Sequence, residues 1–259
     1  MFKKILLLIS VAFFLGCSND SEENQANESG KVPLKIKESI YYDQSTPPDV
    51  SEMNFIYQNT VLTGLKSPDN SREIKLIYNG QKVTKIEYYR DSNLNYENTI
   101  TYEGDNIKSV VNGLGEERTD FLYENGVLQK LIYSYRSSTS EPWVVYNTKE
   151  CFFNNSNLIK EIENDVDSPS IIYKKEHQFD TKNNPFKNLN PYVKFLFEFE
   201  TIDAMSLNNI ILTNHYNGAN STTITSTKTY ENTYNEDGYP ILVKKKDGTT
   251  LISQIEIEY

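Results

Sequence analysis

Cysteine and histidine are nearly absent from the 259-residue chain, which holds two of each. One cysteine, Cys17, closes an N-terminal leader, so Cys151 is left with no pair for an internal disulfide. Beside Phe152-Phe153 in a strand-like run, Cys151 reads as a small buried hydrophobe. His177 and His215 are the only imidazoles, and no His-Glu-x-x-His, cysteine pair, phosphate loop or Gly-x-Ser-x-Gly elbow occurs. The sequence therefore names no catalytic residue, metal site or cofactor. Positive charge is also short: 26 Lys and Arg stand against 36 Asp and Glu, a formal net charge of -10 that becomes -12 if Lys3 and Lys4 leave with the leader. An acidic surface repels phosphate backbones and anionic lipid, which argues against nucleic acid as a partner and against electrostatic docking on a membrane. Hydrophobic residues make up only 37%.

What the chain has instead is aromatics, 19 Tyr and 12 Phe, side chains that bury much area while a phenol keeps a polar tip. Many fall in one recurring phrase. Tyr78-Asn79-Gly80-Gln81-Lys82-Val83-Thr84-Lys85-Ile86 ends a β-type run on an aromatic, turns, and opens the next run with an apolar residue five positions after the aromatic. Degenerate copies start at Tyr57, Tyr102, Tyr123 and Phe153, and versions with a longer turn start at Phe179 and Tyr234. Asn-Gly favours a tight hairpin turn because both residues tolerate positive φ, and the flanks are rich in β-branched and aromatic residues. Hairpin follows hairpin with no room for crossover helices, which predicts antiparallel sheet. The expected fold is all-β: an up-and-down meander of about twelve to fourteen strands, curled or barrel-like.

The apolar positions five and eight after the aromatic have opposite parity. Either a bulge lies between them or both faces of the sheet are covered. Lys85, Lys108, Lys130 and Lys160, at six or seven, are expected to lay their stems over apolar surface with the charge in water. The recurrent tyrosine is expected to be structural, its ring packed on a neighbouring apolar residue and its hydroxyl reaching water or a turn carbonyl.

Residues 1–16 read as a secretory signal, with Lys3-Lys4 followed by an apolar stretch too short to span a bilayer. Phe14-Leu15-Gly16-Cys17 resembles the lipobox of bacterial lipoproteins, which implies a lipid on Cys17; Phe14 departs from the usual Leu. Residues 17–31 are acidic and lack large apolar side chains, as a flexible tether would, and their start resembles the surface-export signal of Bacteroidetes lipoproteins. The β domain is assigned to residues 32–259.

Residues 191–207 break the repeat with a crowded aromatic segment. It fits a short helix opened by Pro191 and capped by Asn190, or a strand with Phe195, Phe197 and Phe199 on one face. In either form it is expected to cover the second face of the sheet. Glu161, Glu163, Asp165 and Asp167 alternate along one run, which reads as a solvated edge strand or, if looped, a Ca²⁺ ligand set lacking EF-hand spacing. Trp143 and Tyr146, in a Ser/Thr-rich insertion, are the aromatic pair placed to contact a ligand, with a core position for Trp143 as the alternative.

Phrases such as Tyr123-Glu124-Asn125-Gly126-Val127-Leu128 and Tyr234-Asn235-Glu236-Asp237-Gly238-Tyr239 resemble the YD repeats of the RHS family, whose repeats form β-sheet shells, although the strict Tyr-Asp pair is missing. Asn184-Pro185-Phe186 and Asn208-Asn209 look like the matching segments of uncharacterised Bacteroidetes outer-membrane lipoproteins with a porin-like, repeat-built β domain. That resemblance implies an envelope lipoprotein, lipid-anchored in the outer membrane and exposed at the cell surface or facing the periplasm. It is expected to be a binding module for a glycan or an envelope protein and not an enzyme. A purely structural envelope protein and a carboxylate-dependent hydrolase are the alternatives.

Overall fold

The computed structural model describes residues 30–43, 45–168, 172–197 and 202–259, so the leader, Cys17 and most of the tether lie outside the described residues. The first strands are β1 (Lys35–Ile40), β2 (Asp49–Gln58), β3 (Val61–Lys66), β4 (Arg72–Asn79), β5 (Lys82–Arg90) and β6 (Asn93–Glu103). β7 (Asn106–Asn112), β8 (Glu117–Glu124), β9 (Val127–Tyr135), β10 (Val144–Asn154) and β11 (Asn157–Asp165) follow. The last are β12 (Ile172–Phe179), β13 (Ile210–Asn217), β14 (Ile224–Tyr234), β15 (Pro240–Asp247) and β16 (Thr250–Glu258). Each strand pairs antiparallel with its neighbours in sequence, and β1 pairs with β16, so the sheet closes into a barrel. Closure removes every sheet edge.

Parity is resolved by a bulge repeated at one place in the phrase. Ile77 pairs with Lys85 while Tyr78 pairs with Val83, so Thr84 is the extra residue. Thr63, Lys108, Gln129, Ile159, Ile211 and Ile241 occupy the same position in their hairpins. A bulge flips the side-chain alternation. Val83 and Ile86 therefore both point inward and are fully buried. The turns differ in type: Asn125 and Gly126 both have positive φ, as a type I′ hairpin needs, whereas Asn79 still pairs with Lys82 and the positive φ falls on Gly80.

The phrase tyrosines join one hairpin to the previous one. Tyr78 Oη donates to the carbonyl of Leu62 at 2.6 Å and Tyr102 Oη to that of Val83 at 2.6 Å, in each case the residue five after the preceding aromatic. Tyr57 and Tyr259 donate to the carbonyls of Pro33 and Pro240. Burial raises the Tyr78 pKa to about 12, so the phenol stays a neutral donor. The acceptor is a strand carbonyl across the seam and not the turn carbonyl anticipated from the sequence.

One end of the barrel is filled by the connection between β12 and β13. Residues 191–197 form turns and a 3₁₀ turn, Lys194–Leu196, so the segment is neither a regular helix nor a strand; Asn190 Oδ1 accepts from the Tyr192 amide at 2.9 Å. Phe186 is fully buried and stacks on Phe197 at 4.9 Å between centroids, and both rings stack on Phe55 of β2. Tyr192 meets Tyr102, and Phe195 meets Phe121, edge to face. The plug thus docks on the inner wall of β2–β8. Phe199, offered above as a face-mate, lies outside the described residues.

The outer wall is ion-paired. Lys35 joins Glu258 at 2.5 Å and lies 3.8 Å from Glu52, Lys85 joins Glu97 at 2.9 Å, and Lys246 joins Glu231 at 2.5 Å. Lys130 faces Glu150 at 3.9 Å and Lys160 lies over the Phe152 ring at 3.8 Å, the stem-and-charge arrangement expected of the phrase lysines. Lipid-facing strands carry an apolar band, and a Lys at the bilayer midplane costs about 2 to 4 kcal/mol. Ile56, Ile77, Leu122 and Ile241 are exposed on the same surface.

Candidate functional site

The bulge and the closed register fix which positions look into the lumen: two and four before each repeat aromatic, eight and ten after it. Around Tyr78 these are Leu76, Ile74, Ile86 and Tyr88, all in or against the core. Around Phe153 the same slots are Cys151, Lys149, Glu161 and Glu163, and before Phe179 they are His177 and Lys175. After the plug, the inward positions of β13 and β15 include Thr213, His215 and Lys245. The plug docks on the β2–β8 side, and a chamber of about 650 Å³ remains whose lining runs from Tyr88, Asn98, Val110 and Thr119 on β5–β8 round to Lys245 on β15. Its floor is apolar, from Leu128, Leu131, Leu158, Phe195, Ile202 and Met205; its wall carries Lys149, Glu161, Lys175, His177, His215 and Lys245.

Glu161 is the centre of the charged wall. Burial alone would raise its pKa, but the His177 imidazole at 3.6 Å, Lys149 at 3.9 Å and Lys175 at 3.6 Å reverse that and bring it to about 2. His177 Nδ1 meets Thr213 Oγ1 at 2.9 Å, and the Thr213 hydroxyl donates to Tyr230 Oη at 3.3 Å. A protonated imidazole would donate on both sides of this chain. From the plug, Asp203 enters part-buried; burial pushes its pKa up, and Glu161 adds to that, against the hydrogen bonds from Ser206 and the Met205 amide. Burial pushes Lys194 down, with Asp203 opposing. His215 is pushed down by burial and then by Lys175, Lys228, Lys245 and His177, the mark of a positive local potential.

Carboxylate, imidazole and hydroxyl in the order Glu161, His177, Thr213 resemble a nucleophilic triad in sequence of contacts. Thr213 is only 2% exposed and its proton is directed to Tyr230. The arrangement reads as a hydrogen-bonded strut.

The pair singled out in the sequence stays at the rim. Trp143 is half-buried, neither core nor open, with the Arg136 guanidinium 4.2 Å from its ring centre and Arg118 at 5.8 Å. Tyr146 is exposed and leans on Tyr133 and Tyr135. The acidic run is corrected: β11 pairs on both sides and is no edge, and Glu161 points inward among cations. Among the described residues no group of three or more His, Cys, Asp or Glu is placed to hold a metal. Cys151 is buried and lines the chamber, as a small hydrophobe would. The Lys149, Lys175, Lys245 and His177 cluster was missed, although counting two and four back from Phe153 and Phe179 finds three of the four.

The architecture defines a porin-like β-barrel. The crystal structure of a porin-like protein from Bacteroides uniformis matches it with a TM-score of 0.55 and 10% sequence identity over 87% of this chain and 97% of that one, a likeness of fold. The structure described as TcdB2-TccC3-TEV overlaps 82% of this chain and 12% of its own at 13% identity, with a TM-score of 0.35, too low to carry an argument. No family model matches, and no curated protein matches in sequence.

Proposed function

We propose that this is an envelope lipoprotein of the outer membrane, held by lipid on Cys17, whose barrel stands in water and binds a ligand in its lumen. The observation that carries the reading is the inversion of a channel: ion pairs outside, a plug and a partly apolar chamber inside. A binding role fits better than a hydrolytic one, because Glu161 is held by Lys149, Lys175 and the His177 imidazole and Thr213 is buried. Lys31 pairs with Asp237 and its carbonyl accepts from Asn188, so the tether leaves from the plugged end. The rim at the other end carries Tyr146 and Trp143, and a glycan or envelope protein would approach there.

The test is fractionation of the full chain. Wild type should sediment with membranes and carry an acyl label; Cys17→Ala should lose the label and be released, still folded. If Cys17→Ala stays in the bilayer as an integral protein, the wall spans the membrane and the reading fails.

A further inference from the structure

We propose that the tethered end of the barrel rests in the surface of a phospholipid bilayer, with a collar of outward apolar side chains at the level where headgroups meet acyl chains. This rests on the reading of Cys17 as a lipid anchor and does not involve the lumen. The collar is written in the repeat. Ile56, Ile77 and Leu122 stand one residue before their phrase aromatic, and Ile159, Ile211 and Ile241 are the bulge residues of three other hairpins. Positions two before the aromatic point inward, so those one before point outward. All six side chains are 37% to 47% exposed. They belong to β2, β4, β8, β11, β13 and β15, so the band recurs round the circumference.

Its height is set by the turns. Ile56, Ile77, Leu122, Ile159 and Ile241 each lie three residues from a turn residue of positive φ, namely Asn59, Gly80, Asn125, Ser156 and Gly238. At about 3.3 Å per residue and a strand tilt of about 40°, the band sits roughly 7 Å behind the turns. Interfacial elements bury their apolar face about 5 to 10 Å into the boundary between headgroups and acyl chains. Directly behind the band the wall is charged: Lys85 reaches Glu97, Lys130 faces Glu150 and Lys246 reaches Glu231. Those ion pairs limit how deep the barrel can sink.

Exposure alone does not choose an end, since Leu94, Leu114, Tyr173 and Ile224 are exposed toward the opposite rim. The path of the chain does. The phrase turns and the approach to β1 lie at one end, where Lys31 pairs with Asp237 of the β14–β15 turn. Residues 17–29 can reach at most about 45 Å. Lipid on Cys17 therefore presents the collar, and not the rim with Trp143, to the membrane. A flat lipid surface meets the whole band at once, whereas a protein on one flank would cover only part of it. The contact is apolar and needs no anionic lipid, which suits a chain of net charge -10.

Tryptophan fluorescence on phosphatidylcholine vesicles, with and without bromine on the acyl chains, tests this. The chain from Cys17 onward, the form the lipoprotein reading implies, is coupled through Cys17 to a maleimide lipid; Cys151 is buried and stays unmodified. Anchoring is thereby supplied whether or not a cell makes it. Ile77→Trp in a Trp143→Phe background should shift to the blue and lose most of its emission to the brominated lipid. Wild-type Trp143, the one tryptophan, and Lys75→Trp at mid-wall in the Trp143→Phe background should keep theirs. Adding Ile56→Ser, Leu122→Ser and Ile241→Ser to Ile77→Trp should restore its emission, and adding Leu94→Ser with Leu114→Ser should not. Far-UV circular dichroism checks that each variant is folded. Quenching of Trp143 without quenching of Ile77→Trp puts the opposite rim in the lipid and overturns the proposal. Quenching of Lys75→Trp together with Ile77→Trp means that the wall spans the bilayer, and overturns the barrel standing in water as well. A blue shift of Ile77→Trp that grows with protein concentration in the absence of vesicles means that a second copy covers the band, and overturns the lipid. Emission of Ile77→Trp that bromine leaves unchanged in folded, coupled protein overturns the collar. Quenching of Ile77→Trp beside a wild type that carries no acyl label in cells overturns the natural anchor and leaves the collar standing.

Discussion

From β2 to β9 the inward positions two before and eight after the aromatic hold Phe55, Leu65, Leu76, Ile86, Ile100, Phe121 and Leu131; the equivalent positions around Phe153 and Phe179 hold Cys151, Glu161, His177 and Thr213, with Lys149, Lys175, His215 and Lys245 in the inward positions next along the strands. Both sides share the bulge after the aromatic and the same antiparallel register. Backbone shape is thus set by the turn, the aromatic and the bulge, and the chemistry of the lumen is written in other positions. The plug follows that division. Its aromatic rings lie where apolar slots receive them, and the space left over reaches the charged residues of β10 to β15 as well as Asn98 and Thr119.

The largest expected effect lies on the apolar side. Phe186→Ala removes a fully buried ring from a three-ring stack with Phe55 and Phe197 and should cost about 3 to 5 kcal/mol, read as a lower urea midpoint. An unmoved midpoint would mean that the plug does not depend on the apolar wall, and the contrast between the two sides would collapse.

A smaller loss, roughly 1 to 3 kcal/mol, is expected for Glu161→Gln, which leaves Lys149, Lys175 and His177 without the anion they surround. The pH dependence carries a sign. The folded pKa of about 2 lies below the ordinary 4.5, so Glu161 stabilises the fold above about pH 4.5 and that contribution is lost as pH falls toward 2. Acid titration of the melting temperature should therefore be shallower between pH 4.5 and 2 in Glu161→Gln than in wild type. Parallel curves would show that Glu161 does not anchor the wet side.

The smallest effect belongs to the seam that both sides share. Tyr102→Phe keeps the ring against Tyr192 and removes only the hydrogen bond to the Val83 carbonyl, for about 0.5 to 1.5 kcal/mol in chemical denaturation. A loss as large as that of Phe186→Ala would mean that the hydroxyl, and not the ring, holds the hairpins together.

The apolar side was legible in the sequence and the charged side was not, for one physical reason. Strand alternation is visible when inside means apolar, as at Leu76 and Tyr78 or Phe121 and Tyr123. In β10 to β14 charged inward residues stand among apolar ones such as Cys151 and Leu158, so Lys149, Glu161 and Lys175 read as solvated, and the Thr- and Asn-rich β14 offers little alternation. Hence an expectation of twelve to fourteen strands where sixteen close the barrel. The bulge was one of two alternatives left open by the opposite parity of Val83 and Ile86, and register alone decided it. Trp143 stood out as an aromatic in a Ser/Thr-rich insertion, yet that setting does not fix how open the ring is, and Arg136 covers it.

The tyrosine that reaches back to the preceding hairpin makes the barrel a thing assembled by counting. Tyr78 and Tyr102 each tie their copy to the one before it through one carbonyl and one register, while Phe153 and Phe179 keep the register with no hydroxyl and Tyr234 donates instead to Asp180. Lumen width grows with strand number. Lineages that gained or lost a single copy of the phrase would change bore in fixed steps while every surviving seam stayed as it was, and the plug, the one segment that must match the bore, would be where they had to change most.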